Sequence, residues 1–168
     1  NQYKFDGEWL ELKKKKYTSW FKLAGPIKFP ISRTIYESKY GPTFKTEQGV
    51  FAWNFVVGRS IKMAEQWYEM NKATNFKEFK NALEILGIST LNFVYADRED
   101  NIYYVSNGGF PYRNPKYNWS GILPGNTSET LWGEKTIPLD SLPQVLNPKG
   151  GWVFNTNNTP YSATDSLS

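Results

Sequence analysis

The spacing of hydrophobic and polar positions changes along this 168-residue chain. Residues 3–20 alternate roughly between apolar and charged positions, a two-residue period that predicts strands. Residues 32–40 alternate more weakly and are predicted to form another strand. The dense apolar run at residues 49–57 is bounded by glycines and predicts a buried strand. The first third of the chain is therefore predicted to be β-structure.

The period then becomes helical. Apolar and aromatic positions recur every three or four residues, which predicts two helices over about residues 59–72 and 76–86. Asn75 followed by Glu78 predicts a capping box at the start of the second helix. Gly87 lies where a glycine in the left-handed conformation is expected to end that helix.

Strand patterns return after the helices. Residues 89–96 and 101–106 are predicted to form a hairpin around a polar turn at 97–100. Residues 107–148 are rich in Gly, Pro, Asn and Trp and predict a long irregular segment, a kind of segment that is usually functional. Residues 150–156 are predicted to form a last strand.

The order of strands, helices and further strands favours an α+β fold over an α/β fold. We expect an antiparallel, β-rich structure with an inserted helical pair near residues 59–86. No linker divides the sequence, so residues 1–168 are predicted to form a single partial domain. Because the chain begins without Met and ends without a tail, we interpret it as an excerpt of a longer protein.

Composition narrows the chemistry of this stretch. The absence of Cys and His excludes disulfides, thiolate catalysis, Ser-His-Asp triads and histidine metal sites. The net charge of +4 comes largely from four lysines at 13–16, which we interpret as a solvated strand or loop edge. No nucleic-acid partner is predicted. No apolar run is long enough to cross a membrane, so no membrane partner is predicted either.

The second half of the chain carries a series of short motifs in a fixed order. They are Tyr95-Ala96-Asp97-Arg98, Asn101-Ile102-Tyr103, Gly108-Gly109-Phe110-Pro111, Arg113, Gly121, Leu123-Pro124-Gly125, Trp132-Gly133, Ile137-Pro138, Leu142-Pro143, Asn147-Pro148, Gly151 and Asn155-Thr156-Asn157-Asn158-Thr159-Pro160. Each motif is weak alone, and the ordered set is strong. It resembles the β-subunit of the penicillin acylase family, which includes penicillin, cephalosporin and acyl-homoserine-lactone acylases. The resemblance covers residues 30–168.

The resemblance implies part of the four-layer αββα sandwich of N-terminal nucleophile hydrolases. Members of that family are usually exported as precursors and cut themselves to free a Ser, whose own α-amino group acts as the base. The resemblance thus implies a periplasmic or secreted hydrolase of linear amides in N-acyl substrates, such as a β-lactam side chain or an acyl-homoserine lactone. Catalysis would need no cofactor, and the partner would be the remainder of the precursor.

Because the family's nucleophile is expected upstream of Asn1, the isolated chain is expected to be inactive. Asn157 matches the family asparagine whose side-chain amide donates to the oxyanion of the tetrahedral intermediate. Its neighbours Asn155 and Asn158 are alternative candidates for the same role. The other interpretation of all three is a turn, which the Asn-Asn-Thr-Pro context favours.

Three further positions are candidates for binding. Trp152 and Phe154 are predicted to point to one face of the last strand, with Val153 on the other, and so to contact substrate. Asp165 matches the position of a carboxylate that binds calcium in some members, which predicts a structural calcium ion. A loop aspartate at the surface is the alternative.

Other aromatic residues are predicted to be core: Trp53, Phe55, Trp67 and Tyr68. Arg113 is predicted to brace the long irregular segment. Aromatic residues make up 17% of the chain, which also suits an extracellular carbohydrate-binding or interaction module. Because cutting a sandwich exposes sheet edges and apolar faces, we further expect the isolated chain to self-associate or to be marginally stable.

Overall fold

A computed structural model describes residues 1–56 and 61–165 of the chain. Among the described residues, neither helix is long and apolar enough to cross a membrane. The predicted single domain over 1–168 stays a prediction, and each compact unit is described by itself. The two units comprise Asn1–Asn54 with Arg113–Trp132, and Phe55–Tyr112 with Gly133–Ser168.

The first unit is built from antiparallel hairpins. Short turns join consecutive strands, and strands that are neighbours in sequence are neighbours in the sheets. Asp6 and Gly7 make the first turn with positive φ angles of 48° and 90°, where glycine is favoured. The strands are β1 (Gln2–Phe5) paired with β2 (Glu8–Glu11), and a four-stranded sheet of β3 (Lys13–Ala24), β4 (Ile27–Ser38), β5 (Gly41–Thr46) and β6 (Gly49–Ala52).

The two faces of the long β3–β4 ribbon differ in how many of their side chains are apolar. Cross-strand partners share a face, so Phe21 lies beside Phe29 and Ser19 beside Ile31. We call this side the apolar face after its exposed residues Tyr17, Phe21, Phe29, Ile31 and Ile35. The same face also carries Lys13, Lys15, Ser19, Arg33 and Glu37. The opposite side, which we call the basic face, includes Lys14, Lys16, Thr18, Lys22, Lys28 and Ser32, together with Trp20, Pro30 and Tyr36. The lysine run at 13–16 thus lies on an exposed strand, as predicted.

The prediction of a buried strand over residues 49–57 is wrong in both length and burial. The strand ends at Ala52, and residue 57 lies outside the described residues. Val50, Trp53 and Phe55 are each more than half exposed. The reason is that β6 is an edge strand of a sheet whose faces are largely open within the described part of the chain.

The irregular segment contains little regular structure, as predicted. It holds short 3₁₀ turns at Ser128–Thr130 and Leu139–Ser141. In the first unit, the Arg113 guanidinium lies 5.4 Å from the Trp119 ring centre and 5.6 Å from that of Trp132. Such cation–π contacts attract, so Arg113 braces this segment as expected.

The second unit packs two helices on one face of a three-stranded antiparallel sheet with the order β7-β8-β9. Tyr103 and Val105 of the central strand contact the helices, together with Leu83 and Ile88. The opposite face carries Tyr104 and Val145. The elements are α1 (Met63–Lys72), α2 (Phe76–Leu83), β7 (Leu91–Ala96), β8 (Ile102–Asn107) and β9 (Gln144–Leu146).

The predicted cap of α2 is confirmed. The Glu78 backbone N–H donates to Asn75 Oδ1 at 3.0 Å. The Glu78 carboxylate accepts from the backbone N–H of Thr74 at 2.8 Å, one residue further back than a standard capping box. That N–H bond holds the pKa of the Glu78 carboxyl below its ordinary value.

Two expectations for the helical region are wrong. Gly87 has no positive φ; Leu86 takes the left-handed conformation instead, at φ 49°. Glycine is needed at 87 because a Cβ there would lie 2.4 Å from the carbonyl carbon of Lys62. Tyr68 is 59% exposed and Trp67 is partly exposed on α1, so neither is core within the described residues. The predicted helix start at 59 lies outside the described residues, and α1 begins at Met63.

A buried amide network ties the helices to the central strand. Gln66 is fully buried; its Oε1 accepts from the Ile88 backbone N–H and its Nε2 donates to Asn107 Oδ1, each at 2.9 Å. Asn107 Nδ2 in turn donates to the Leu83 carbonyl at 3.0 Å. Since buried polar groups are costly without partners, this network fixes how α1 and the end of α2 meet β8.

We expect Gln66→Leu to destabilise the chain by about 2–4 kcal/mol, because two buried polar groups lose their partner at once. The measurement is the free energy of unfolding from urea titration followed by circular dichroism. Glu65→Ala, at the exposed neighbouring position on the same helix, should change it by less than about 0.5 kcal/mol. Equal effects of the two substitutions would contradict the role of the network.

Candidate active site

Residues 152–164 form a closed loop on the sheet face opposite the helices; we call it the asparagine loop. Val153 packs against the buried cluster of Tyr104, Val145 and Ala163. The Phe154 backbone N–H donates to the Ala163 carbonyl at 3.0 Å, and Thr164 Oγ1 donates to the Trp152 carbonyl at 2.9 Å. These contacts fasten both ends of the loop, so its asparagine-rich middle forms the tip.

The strand predicted at 150–156 does not form, because the bonds of Phe154 and Trp152 close the loop instead of joining a ladder. The predicted alternation of side chains is nevertheless present. Val153 packs inward, while the Trp152 and Phe154 rings lie together with centroids 5.7 Å apart. The two rings are 44% and 39% exposed. They therefore offer a partly open aromatic surface on the side of the loop opposite Val153.

Asn157 occupies the tip in the left-handed conformation, with φ 57°. Asparagine tolerates this conformation better than most residues. The Asn157 backbone N–H donates to Asn155 Oδ1 at 3.1 Å. The same oxygen accepts from Asn92 Nδ2 of β7, also at 3.1 Å. One amide oxygen thus joins the loop tip to the sheet.

Hydrogen bonding separates the three candidate asparagines. Asn158 Nδ2 donates to the Thr159 carbonyl at 3.1 Å and to Ser162 Oγ at 2.9 Å. Both of its amide hydrogens are thereby used, so Asn158 is the poorest candidate for donation to a substrate. The exposed Asn157 side-chain amide makes no hydrogen bond to any residue that the structure describes. Of the three, it is the amide whose donors and acceptor are all available to a bound molecule.

Asp165 follows the asparagine loop. Its Oδ1 lies 2.9 Å from Thr164 Oγ1, so it competes with the Trp152 carbonyl for the single hydroxyl hydrogen of Thr164. A Cβ on Gly150 would approach Asp165 Oδ2 to 2.4 Å, so a larger residue at position 150 would displace this carboxylate. Within residues 1–56 and 61–165, no three acidic side chains come together in a way that could hold a metal. Since calcium takes six to eight oxygen ligands, the described residues do not form a calcium site by themselves.

Asn92 was not predicted from the sequence as part of the site. It lies 63 residues before its partner Asn155, and no local pattern reports a contact of that separation. One signal was present: asparagine is depleted in strands, so an asparagine within the strand pattern of 89–96 required a polar partner.

Comparison with known proteins places the chain in a family. The family model described as penicillin amidase matches residues 1–167. The penicillin G acylase of Escherichia coli is 28% identical over 170 residues, and acyl-homoserine lactone acylase PvdQ of Pseudomonas fluorescens is 30% identical over 188 residues. The matches cover 97% and 96% of this chain, and 19% and 24% of those relatives.

A solved structure gives the same result. The thermostable penicillin G acylase from Alcaligenes faecalis matches with a TM-score of 0.79 and 26% identity, over 98% of this chain and 29% of that one. The predicted α+β, antiparallel fold is confirmed as a part of the penicillin acylase fold. The family model matches nearly the whole chain, so the chain belongs to the penicillin amidase family.

Proposed function

We propose that the full-length protein is an acylase that hydrolyses the linear amide bond of an N-acyl substrate, and that this chain supplies its oxyanion donor. Membership of the penicillin amidase family and relatives named as acylases support the hydrolase class. The observation that carries the proposal is the exposed Asn157 amide, without a partner among the described residues, at the tip of a fastened loop.

In this proposal the scissile carbonyl oxygen lies beside Asn157 Nδ2. The nucleophile is a Ser at the N-terminus of the mature subunit, outside this chain. Its hydroxyl oxygen attacks the carbonyl carbon while its α-amino group takes the proton. The C–N bond then breaks and the leaving amine receives that proton. Water next attacks the ester carbonyl and gives its proton to the α-amino group, which returns it to the departing serine oxygen.

A neutral amide suits the oxyanion because it meets the developing charge without a buried cation. The N–H of Asn157 would shorten its bond to the oxygen as negative charge grows, which stabilises the transition state more than the ground state. We propose that Trp152 and Phe154 form one wall for the acyl group, since their partly exposed rings lie together on the same loop as Asn157. No cofactor is needed, and we propose export to the periplasm or secretion.

Replacing Asn157 by Gly in the full-length protein removes the amide without straining the left-handed backbone. We expect kcat for a chromogenic N-acyl anilide to fall by about 10²–10³. Asn126→Ala, at another exposed asparagine, is the matched control and should keep wild-type kcat. If Asn157→Gly retains kcat within about twofold, well short of the loss expected for an oxyanion donor, the proposed role is wrong.

We further propose that the remainder of the precursor covers the apolar face of the β3–β4 ribbon. Phe21 and Phe29 are 52% and 55% exposed, and Ile31, Tyr17 and Ile35 lie further along the same face, each opposite Ser19, Arg33 or Lys15. Contiguous exposed apolar surface commonly marks an interface. In the isolated chain the same face would bind other copies.

We expect light scattering to show that the isolated chain self-associates and that the double substitution Phe21→Lys with Phe29→Lys reduces the associated mass. Thr18→Lys with Ser32→Lys, a cross-strand pair on the basic face, adds the same charge and should leave association unchanged. A monomeric wild-type chain, or equal effects of the two double substitutions, would contradict this assignment.

We also propose that Asp165 contributes one ligand to a structural calcium ion whose other ligands lie outside the described residues. Calcium content of the full-length protein, measured by mass spectrometry after exhaustive dialysis, should be about one ion per molecule and should fall in Asp165→Asn. Asp140→Asn, at a surface carboxylate paired with Lys80, is the control. A wild-type protein without bound calcium would contradict this proposal.

A further inference from the structure

We propose that Asn92 is a positioning residue, which acts through Asn155 to hold the oxyanion donor Asn157 in place. The inference rests on the proposed function of Asn157 and adds a residue on a different element. Asn92 belongs to β7, whereas the donor belongs to a loop more than 60 residues later.

The Asn92 amide is a fixed donor because its backbone is part of a ladder. Asn92 pairs with Ser106 of β8, and its neighbour Phe93, which points to the opposite face, is buried in the core with the helices. The side chain of Asn92 therefore points to the face that carries Tyr104 and Val145, on which the asparagine loop packs. The strand fixes where its amide can reach.

Asn155 Oδ1 links the Asn92 side chain to the tip of the loop. It accepts from Asn92 Nδ2 and from the Asn157 backbone N–H, both at 3.1 Å. The second bond closes a local turn over residues 155–157, which fixes where the Asn157 peptide N–H points. With Asn155 held by the sheet, the Asn157 peptide has one preferred position. Without Asn92, Asn155 could turn away and the Asn157 amide would shift.

The rest of the loop does not depend on this bond. Val153 remains packed on Tyr104, and the Phe154–Ala163 and Trp152–Thr164 bonds still fasten the two ends. Loss of the Asn92 amide should therefore loosen the tip and leave the fold intact. A purely structural role would instead lower stability and affect every property of the enzyme together.

The test uses the full-length protein with a chromogenic N-acyl anilide. Asn92→Leu keeps the size of the side chain and removes the donor. We expect kcat to fall about tenfold, within the ~10²-fold that a misplacement of about 1 Å can cost, with KM and Tm nearly unchanged. Val94→Thr, two positions along on the same face of β7, is the control and should leave kcat unchanged.

The decisive comparison is with Asn157→Gly as background. If Asn92 acts only by placing Asn157, Asn92→Leu should lower kcat in the wild type and have no further effect once Asn157 is glycine. An equal loss in both backgrounds, or unchanged kcat in the single variant, overturns the positioning role. If Asn157→Gly itself leaves kcat unchanged, the proposed function of Asn157 fails, and with it any donor for Asn92 to place.

Discussion

The second unit depends on the burial of β8 on both faces. Tyr103 and Val105 contact the helices on one side, while Tyr104 packs under the asparagine loop on the other. Side chains of a strand alternate between faces, so one short strand carries two packed layers. The loop that carries the candidate site therefore packs on a buried strand, which gives the donor a rigid support.

On both sides of this strand, hydrogen bonds of neutral side-chain amides join neighbouring elements. On the helix side, Gln66 and Asn107 satisfy each other and two backbone groups in full burial. On the loop side, Asn92 and Asn155 connect the sheet to the tip. Amides both donate and accept, so they can link elements in a stretch without His or Cys and without burying a charge. The chemistry proposed for Asn157 uses the same property.

The features that were predicted correctly from the sequence are those that depend on contacts between residues close together in the chain. The Asn75 cap, the β7–β8 hairpin and the alternation of Trp152, Val153 and Phe154 depend on residues a few positions apart, and all three were predicted correctly. The failures involve distant contacts. The apolar run at 49–57 predicts burial, but burial depends on what covers the sheet. Gly87 is explained by its close approach to Lys62, 25 positions earlier, which no period reveals.

The candidate site likewise contains one residue that was predicted from the sequence and one that was not. Asn157 was proposed from an ordered set of motifs, and the structure adds that its amide is available while that of Asn158 is engaged. Asn92 was not predicted because its partner Asn155 lies 63 residues later in the chain. The one local signal was a polar residue within a strand pattern. The αββα sandwich and the processing of a precursor are implied by the resemblance, and the second of these is open to direct measurement.

The measurement that tests the central claim most directly is intact mass and N-terminal sequencing of the full-length protein, expressed with its own leader. The account predicts two chains, with the one that contains Asn157 beginning at a Ser, Thr or Cys upstream of Asn1. A single uncut chain that nevertheless hydrolyses N-acyl substrates would contradict the proposed N-terminal nucleophile. An uncut chain without that activity would contradict the acylase function itself.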